Sequence, residues 1–131
     1  MYITQDTRGF LWFGTHDGLN RYDGHHFKIY KHDPAAPGSL STNYITALLA
    51  ARGGGLWIGT LSGLDWYDPI QDTFRHVMKR DQSFPNSVRY IFNCIFQDKQ
   101  GNTWVGTSRG LAFIPVGQKR VTRRIFPGGP V

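Results

Sequence analysis

The sequence contains no glutamate, only one cysteine and no long apolar run. With Cys94 alone the chain cannot form an intrachain disulfide, and the apolar residues around it predict a small buried side chain instead of a reactive thiol. No apolar run approaches the roughly 18 residues of a membrane-spanning helix, and no charged-then-apolar leader opens the sequence. We therefore expect neither a membrane span nor an export signal within this chain, so that any membrane association would come through a parent receptor.

All nine acidic residues are aspartates, and they fall mostly in predicted turns. Glycoside hydrolysis needs a pair of carboxyl groups with separate roles, and no such pair stands out. Turn chemistry explains these aspartates, because an aspartate side chain accepts hydrogen bonds from nearby backbone amides. The residues interpreted in this way are Asp6, Asp23, Asp68 and Asp98. The sequence thus predicts a protein that is not an enzyme and needs no cofactor.

Histidines and glycines offer two further motifs, and neither indicates a functional site. His25 and His26 are adjacent, and neighbouring residues of a strand point to opposite faces, so together with His16 they form no convincing metal site. We interpret the pair as part of a solvated turn. The three glycines at 53–55 lack the lysine and following helix of a phosphate-binding loop and predict a hairpin turn.

Positive charge is in excess, with 15 lysines and arginines and a formal net charge of +6. The excess is concentrated in residues 119–124, and such a surface favours anionic partners. The preferred interpretation is a solvated outer strand whose charges protect a sheet edge from unwanted pairing. Nucleic acid is not expected as a partner, because the aromatic residues recur at core positions of a repeat.

That repeat is the main feature of the chain. Residues 11–15, 56–60 and 103–107 each contain a tryptophan followed two residues later by a glycine. The three pairs, which form the structural motif of the repeat, are Trp12 and Gly14, Trp57 and Gly59, and Trp104 and Gly106. The tryptophans are 45 and then 47 residues apart, and a period in this range is typical of propeller blades or solenoid turns.

Each copy consists of short apolar runs separated by turn residues, with no sustained helical period. The second copy predicts strands at 44–51, 56–60, 64–67 and 73–78, which is a four-stranded antiparallel meander. Residues 11–13 and 56–58 are apolar without alternation, as in strands buried on both faces, and the glycine that follows would let an adjacent sheet approach closely. The sequence thus predicts an all-β chain of three β-propeller blades, at about 1–33, 43–80 and 89–127.

The motifs resemble the two-component regulator propeller repeat. Residues 3–6, 9–15 and 18–23 read ITQD, GFLWFGT and GLNRYD, and residues 95–98 and 101–107 read IFQD and GNTWVGT. The second copy departs from the pattern with Ala50 and Ala51 in place of glutamine and aspartate, a change at a turn that does not threaten the fold. The resemblance implies the periplasmic sensing region of a bacterial receptor that precedes a histidine kinase or diguanylate cyclase; in gut bacteria many such sensors respond to glycans.

Three blades cannot close a ring, since propellers usually have four to eight. The chain is either a segment of a longer receptor, one of two or more chains that complete a ring, or an open arc. The open arc is the least favoured, because its two end blades would expose broad apolar faces. The simplest closure by self-association is a six-bladed dimer with head-to-tail contacts.

Connectivity predicts the binding face. The turns between the second and third strands and the links between blades open at one end of a propeller, and they carry residues that vary against a constant framework. Tyrosine can support a sugar ring, and arginine can bind a carboxylate or sulfate. The candidate ligand contacts are His16, Asp17, Asn43, Tyr44, Arg89, Tyr90 and Arg109. Arg109 is the strongest candidate, whereas packing between blades is the favoured role for Tyr44 and Tyr90.

The expected function is non-catalytic ligand sensing in an extracytoplasmic receptor, with a glycan or another anion as the ligand. A scaffold for protein-protein interaction or oligomerisation is the alternative. A polysaccharide-active enzyme is less well supported, since the propeller fold alone does not determine function.

Overall fold

The structure, a computed structural model, describes residues 1–79 and 91–125, and all regular secondary structure in these ranges is β-strand. The strands are β1 (Tyr2–Gln5), β2 (Leu11–Thr15), β3 (Gly18–Tyr22), β4 (Phe27–Tyr30), β5 (Ile45–Ala50), β6 (Leu56–Thr60), β7 (Gly63–Asp68), β8 (Thr73–Lys79), β9 (Phe92–Gln97), β10 (Thr103–Thr107), β11 (Gly110–Ile114) and β12 (Arg123–Ile125). The expectation of an all-β chain is confirmed.

The strands form three separate four-stranded sheets, each paired in chain order. We call them sheet 1 (β1–β4), sheet 2 (β5–β8) and sheet 3 (β9–β12). Every pairing is antiparallel, so each sheet is the predicted meander. The strands predicted in the second repeat agree with β5 to β8 to within one residue at each end. The last sheet also forms its outer strand, β12.

Sheet 2 lies between the other two sheets, and two hydrophobic cores fill the two junctions. The core between sheets 1 and 2 contains Trp12, Leu19, Tyr30, Leu40, Ile45, Leu56, Ile58, Tyr67 and Phe74. The core between sheets 2 and 3 contains Ala51, Trp57, Leu64, Met78, Phe92, Val105, Ala112 and Ile114. Leu56 and Ile58 thus face sheet 1, while Trp57 between them faces sheet 3, which is the alternation of a strand covered on both sides.

Burial along the second strand of each sheet follows from this stacking. All five residues of β6 are buried, as the unbroken apolar pattern predicts. In β2 only Trp12 and Gly14 are buried, because their face contacts sheet 2 while Leu11 and Phe13 point to the other side of sheet 1. The prediction of burial on both faces is therefore correct for residues 56–58 and holds on one face only for residues 11–13.

The glycine of the repeat motif allows neighbouring sheets to approach closely, as predicted. A Cβ atom on Gly14 would lie 2.6 Å from Cγ2 of Ile45, which belongs to sheet 2. A Cβ atom on Gly59 would lie 2.9 Å from Cβ of Phe92 in sheet 3 and 3.1 Å from Cβ of Ala47. Since real Cβ atoms almost never come that close to another carbon, any larger residue at these positions would push two sheets apart.

Cys94 is exposed, which contradicts the prediction of a buried side chain. It pairs with Gly106 in the register of β9 and β10 and lies on the face of sheet 3 that points away from sheet 2. No other described sheet covers that face. The apolar neighbours of Cys94 in the sequence therefore do not bury it in this chain.

Candidate functional site

The predicted binding face is built from three turns of similar design, at residues 16–17, 61–62 and 108–109. We call the end of the sheets that carries them the loop face. A threonine starts each turn, and its hydroxyl donates to a glycine carbonyl three residues later; these bonds run from Thr15 to Gly18 at 3.0 Å, from Thr60 to Gly63 at 2.9 Å and from Thr107 to Gly110 at 2.8 Å. Each threonine fixes its turn, so the two residues between are free to vary.

Four of the predicted contacts lie close together around the turn of sheet 1. The rings of His16 and Tyr44 are stacked with centroids 3.9 Å apart, and Asp17 pairs with Lys31 at 3.2 Å. Asn43 uses its polar groups within the fold, since its Oδ1 accepts a hydrogen bond from the backbone N–H of His32 and its carbonyl accepts one from Gly18. The structure thus brings His16, Asp17, Asn43 and Tyr44 together.

Arg109 lies on the turn of sheet 3. Its backbone N–H donates to Oγ1 of Thr107 at 3.1 Å, while its exposed side chain makes no hydrogen bond or ion pair with the described residues. The guanidinium group is therefore available to a ligand. Arg89 and Tyr90 lie outside the described residues.

The opposite end of the sheets carries the turns at residues 6–10, 51–55 and 98–102, and we call it the turn face. All four turn aspartates behave as predicted, because each carboxylate accepts hydrogen bonds from nearby backbone amides. Asp6 and Asp98 also bind the indole N–H of their own repeat, from Trp12 at 2.9 Å and from Trp104 at 3.0 Å. In the second repeat Ala51 replaces this aspartate, and Trp57 makes no such bond.

At the turn face the junction between sheets 1 and 2 is closed by a cluster around Asp72. The Asp72 carboxylate accepts hydrogen bonds from the hydroxyls of Tyr30 and Tyr67, both at 2.6 Å, and from the ammonium of Lys28. Arg21 adds a guanidinium nitrogen 4.0 Å from the same carboxylate. The cavity left at this junction has a volume of only about 60 Å³.

Partial burial acts to raise the pKa of Asp72, but the hydrogen bonds from Lys28, Tyr30 and Tyr67 outweigh it and lower the pKa to about 2. The carboxylate is therefore ionised throughout the physiological range. It serves as an internal counter-ion for the cations of this junction.

The equivalent junction between sheets 2 and 3 is open and forms a cleft of about 520 Å³. Its walls are residues 51–54 with Trp57 and Trp66 from sheet 2, and residues 97, 99–101, 103 and 115–119 from sheet 3. The lining contains three cations, Arg52, Lys99 and Lys119, three glutamines, and no acidic residue. We call this space the inter-sheet cleft.

Three replacements and the lack of an Asp72 counterpart explain why this junction is open. Ala51 stands where the other repeats have an aspartate, and Trp66 occupies the β7 position that corresponds to Arg21 in β3. Ile114 replaces Tyr67 at the end of the third strand, and residues 115–122 contain no counterpart of Asp72. The indole of Trp66 instead lies against the backbone of Gly55, where a Cβ atom would come within 2.0 Å of the ring.

Lys119 projects into this cleft. Its ammonium lies 4.4 Å from the centre of the Trp66 ring, a cation–π contact. Burial lowers the pKa of Lys119, and repulsion from Arg75 lowers it further. The basic segment 119–124 was interpreted as a solvated outer strand; β12 is indeed the outer strand of sheet 3, but Lys119 is half-buried beside Trp66.

One carboxylate is fully buried in sheet 2, away from the inter-sheet cleft. Asp65 accepts hydrogen bonds from the backbone N–H of Ser41 at 2.7 Å and from its hydroxyl at 2.5 Å, and His76 lies 4.0 Å away. Burial raises the pKa of Asp65 despite these hydrogen bonds. The contact attaches the link at residues 31–44 to β7, so its role is structural.

Among residues 1–79 and 91–125 no group of three metal-ligating side chains comes together. His25 and His26 lie in the exposed β3–β4 turn, where both backbone N–H groups donate to Asp23, and this agrees with the interpretation of a solvated turn. In the same described residues, no helix is long and apolar enough to cross a membrane.

Comparison of the sequence with known families gives one match. The sequence model of the family described as two-component regulator propeller matches residues 39–62 and 84–109, which include the second and third copies of the tryptophan–glycine motif. A histidine kinase from Formosa agariphila is 56% identical over 39 residues, which are 30% of this chain and 3% of that protein. These matches confirm the family resemblance that the motifs indicate.

Two solved structures from B. thetaiotaomicron share the fold. The extracellular domain of a hybrid two-component system has a TM-score of 0.72 and 21% identity, over 95% of this chain and 16% of that chain. The extracellular domain of a one-component system has a TM-score of 0.68 and 25% identity, over 94% of this chain and 18% of that chain. The chain spans less than a fifth of either structure, and its three sheets are blades of a β-propeller.

Proposed function

Because the sequence model of the two-component regulator propeller family matches residues 39–62 and 84–109, we propose that the chain is a non-catalytic sensing segment in the extracytoplasmic part of a bacterial signalling receptor. The observation that carries this proposal is the stack of three repeat-built blades, two of which the family model matches. Such a segment would bind a ligand or partner without altering that molecule chemically. Binding would change the activity of a distant output module.

The named relatives support the location and the signalling role. Two structures of the same fold are extracellular domains of signalling systems, and the matching sequence relative is a histidine kinase. The chain covers 16% and 18% of those two structures, so the proposed receptor would contain further blades and an output module. The location of this chain outside the cytoplasm is part of the proposal.

Ligand recognition at the loop face is proposed for Arg109 above all. Its side chain is exposed and bonded to no described residue, and a guanidinium group can bind a carboxylate or sulfate through two hydrogen bonds. The stacked pair of His16 and Tyr44 offers an aromatic surface on another turn of the same face. An anionic glycan is the ligand class that these groups suit.

We also propose that the end faces of the stack are interfaces. The outer face of sheet 3 presents Trp104 at the position that Trp12 and Trp57 occupy in the two packed junctions, beside Phe96, which is 62% exposed. The outer face of sheet 1 presents Leu11, Phe13, Tyr22 and Phe27 where sheet 2 packs Leu56, Ile58, Tyr67 and Phe74 against its neighbour.

The two end faces correspond to the two sides of the junctions that sheet 2 makes with sheets 1 and 3. Sheet 3 of one copy can therefore pack on sheet 1 of another copy. For the chain on its own, the proposed occupant is a second copy, which would give a six-bladed dimer. In a longer receptor the neighbouring blades would take its place.

The sensing role is tested by titrating the purified chain with a panel of neutral, uronic and sulfated oligosaccharides. Melting temperature reports binding, and chromatography of the sugars reports any cleavage. The proposal predicts that at least one acidic sugar raises the melting temperature and is recovered intact, and that Arg109→Gln weakens the binding at the loop face. Cleavage products would contradict the non-catalytic role, and a failure of every sugar in the panel would favour the protein-interaction scaffold.

A further inference from the structure

The inter-sheet cleft contains cations without counter-ions. Arg52, Lys99 and Lys119 line it, and within the described residues no carboxylate lies within ion-pair distance of any of them. The guanidinium of Arg52 donates to the backbone carbonyl of Asp98, which carries no net charge. Arg75 lies close enough to Lys119 to repel it and lower its pKa. Cations held together in a partly buried space are unfavourable unless an anion joins them.

The other junction of the same chain shows what a closed arrangement looks like. There Asp72 takes the charge of Lys28 and lies 4.0 Å from Arg21, while Asp6 binds Arg8 and the indole N–H of Trp12. Both carboxylates are missing from the second junction, which is lined instead by cations of its own, Arg52, Lys99 and Lys119. The second junction therefore has cations and no internal anion, and the space between its sheets is left open.

The cleft also holds neutral hydrogen-bonding groups. The side chains of Gln97, Gln100 and Gln118 line it. Gln97 already accepts a hydrogen bond from the backbone N–H of Arg52 and donates one to the carbonyl of Gly101. The amides of Gln100 and Gln118 can both donate and accept, which suits hydroxyl groups. Trp57 lies in the wall, and its indole N–H makes no hydrogen bond in the described part of the chain because Ala51 has replaced the aspartate. An indole N–H can only donate, so it adds another group suited to an acceptor oxygen.

We propose that the inter-sheet cleft binds a small hydroxylated organic anion, namely a carboxylate or sulfate carried on a polar ring, with Lys119, Lys99 and Arg52 as the cations that recognise it. The volume of about 520 Å³ lies within the range of small-molecule sites. Amides and the Trp57 indole would take the hydroxyl groups, and the half-buried Trp66 would form an apolar wall.

This site is separate from the loop face, because its lining comes from the turns at the opposite ends of the strands. The cleft is a second ligand position on the proposed sensor. Only its biological purpose rests on the proposed sensing role. Binding is measured on the chain itself, so a failure here would leave the sensor proposal intact.

The test is an NMR titration of the chain with glucuronate, glucose 6-sulfate, neutral glucose and inorganic sulfate. The two sugar anions are expected to shift the indole N–H resonance of Trp57 and to leave those of Trp12 and Trp104 in place. Lys119→Gln should weaken this binding about tenfold or more, the effect of losing one charged hydrogen bond. Lys28→Gln removes the same charge at the closed junction between sheets 1 and 2 and should leave the affinity for this cleft unchanged.

A second variant tests the cleft by adding a carboxylate instead of removing a cation. Ala51→Asp restores the aspartate that the other two repeats use to bind their tryptophan, so we expect a folded chain with an internal anion and no measurable binding in the cleft. The proposal is overturned if neutral glucose binds as tightly as the sugar anions, if inorganic sulfate alone binds as tightly as the sugar sulfate, or if no probe shifts Trp57. Unchanged binding in both Lys119→Gln and Ala51→Asp would overturn it equally.

Discussion

Single residues decide how closely the sheets approach and which junction is open. Gly14 and Gly59, two positions after the first two repeat tryptophans, have no side chain at the points where the next sheet comes closest. In the second repeat Ala51 takes the place of the aspartate whose carboxylate binds a tryptophan in both other repeats. A single substitution is therefore informative at either place.

Gly59→Ala should destabilise the chain by about 1–3 kcal/mol, because the new methyl group would press against Cβ of Phe92 in the next sheet. Gly53→Ala is the matched control, since nothing lies within 4 Å of its position and neither glycine has a positive φ. Denaturant unfolding of both variants measures the difference. Equal stabilities would show that the glycine of the motif does not set the distance between sheets.

Asp72→Asn should remove part of the acid sensitivity of the fold. Hydrogen bonds lower the pKa of Asp72 to about 2 in the folded chain, below the ordinary value of 3.8, so its stabilising contribution is complete above about pH 4 and is lost as the pH falls toward 2. The melting temperature of the variant should be lower than that of the wild type at pH 7 and should approach it near pH 2. Asp17→Asn, which changes an exposed aspartate, is the control; a parallel pH profile for wild type and Asp72→Asn would contradict the role of Asp72.

The strands are the part of the structure that the sequence predicts best. The repeat spacing and the short apolar runs predict the meander of sheet 2, since the same residue types recur at the same positions relative to each turn. Which face of a sheet is covered is a different matter, because it depends on the sheet that packs there. Cys94 was predicted to be buried and is exposed for this reason.

The sequence alone does not predict the inter-sheet cleft, for a related reason. Its walls join residues 51–54 with residues 97–101 and 115–119, which only packing brings together. The change to Ala50 and Ala51 was visible as a departure from the repeat, and it was interpreted as a harmless change at a turn. The useful signal was that this departure removes the partner of a tryptophan that stays in place.

The link between the first two blades is an element that periodicity could not describe. It has no strand of its own, yet Leu40 is fully buried in the first core and Ser41 binds the buried carboxylate of Asp65. The carbonyl of Gly38 accepts a hydrogen bond from Phe74 at 2.8 Å. The link therefore packs along the outer part of sheet 2.

Ser41→Ala should destabilise the chain by about 1–3 kcal/mol, because the Asp65 carboxylate would lose a hydrogen bond in a fully buried position. Ser62→Ala, a substitution at an exposed turn, is the control. Hydrogen exchange should become faster at the backbone N–H of Ser41 and of Phe74 in the first variant only. Unchanged exchange at both amides would show that the link is held by Leu40 and its backbone contacts alone.

At the scale of the whole molecule, the chain is a stack with two unequal but complementary ends. Ile3 and Ile29 on the outer face of sheet 1 are 63% and 62% exposed, and Phe96 on the outer face of sheet 3 is 62% exposed. Apolar faces of this breadth normally mark interfaces. Within the chain, the equivalent faces of the sheets are packed against each other in the junctions on either side of sheet 2.

A charged residue on one end face should block association without unfolding the chain. Ile29→Lys places an ammonium on the outer face of sheet 1, where the side chain is already solvent-exposed in the single chain. We expect the variant to keep the far-ultraviolet circular dichroism of the wild type and to be monomeric. Ile70→Lys, at a turn position that is 92% exposed, is the control and should associate as the wild type does.

The most direct test of the account is the absolute mass of the chain in solution, measured by light scattering over a range of concentrations. If the three sheets are propeller blades whose end faces pack against a second copy, the wild type has a stable mass of twice 14.9 kDa. A mass of 14.9 kDa at every concentration would contradict closure by a second copy.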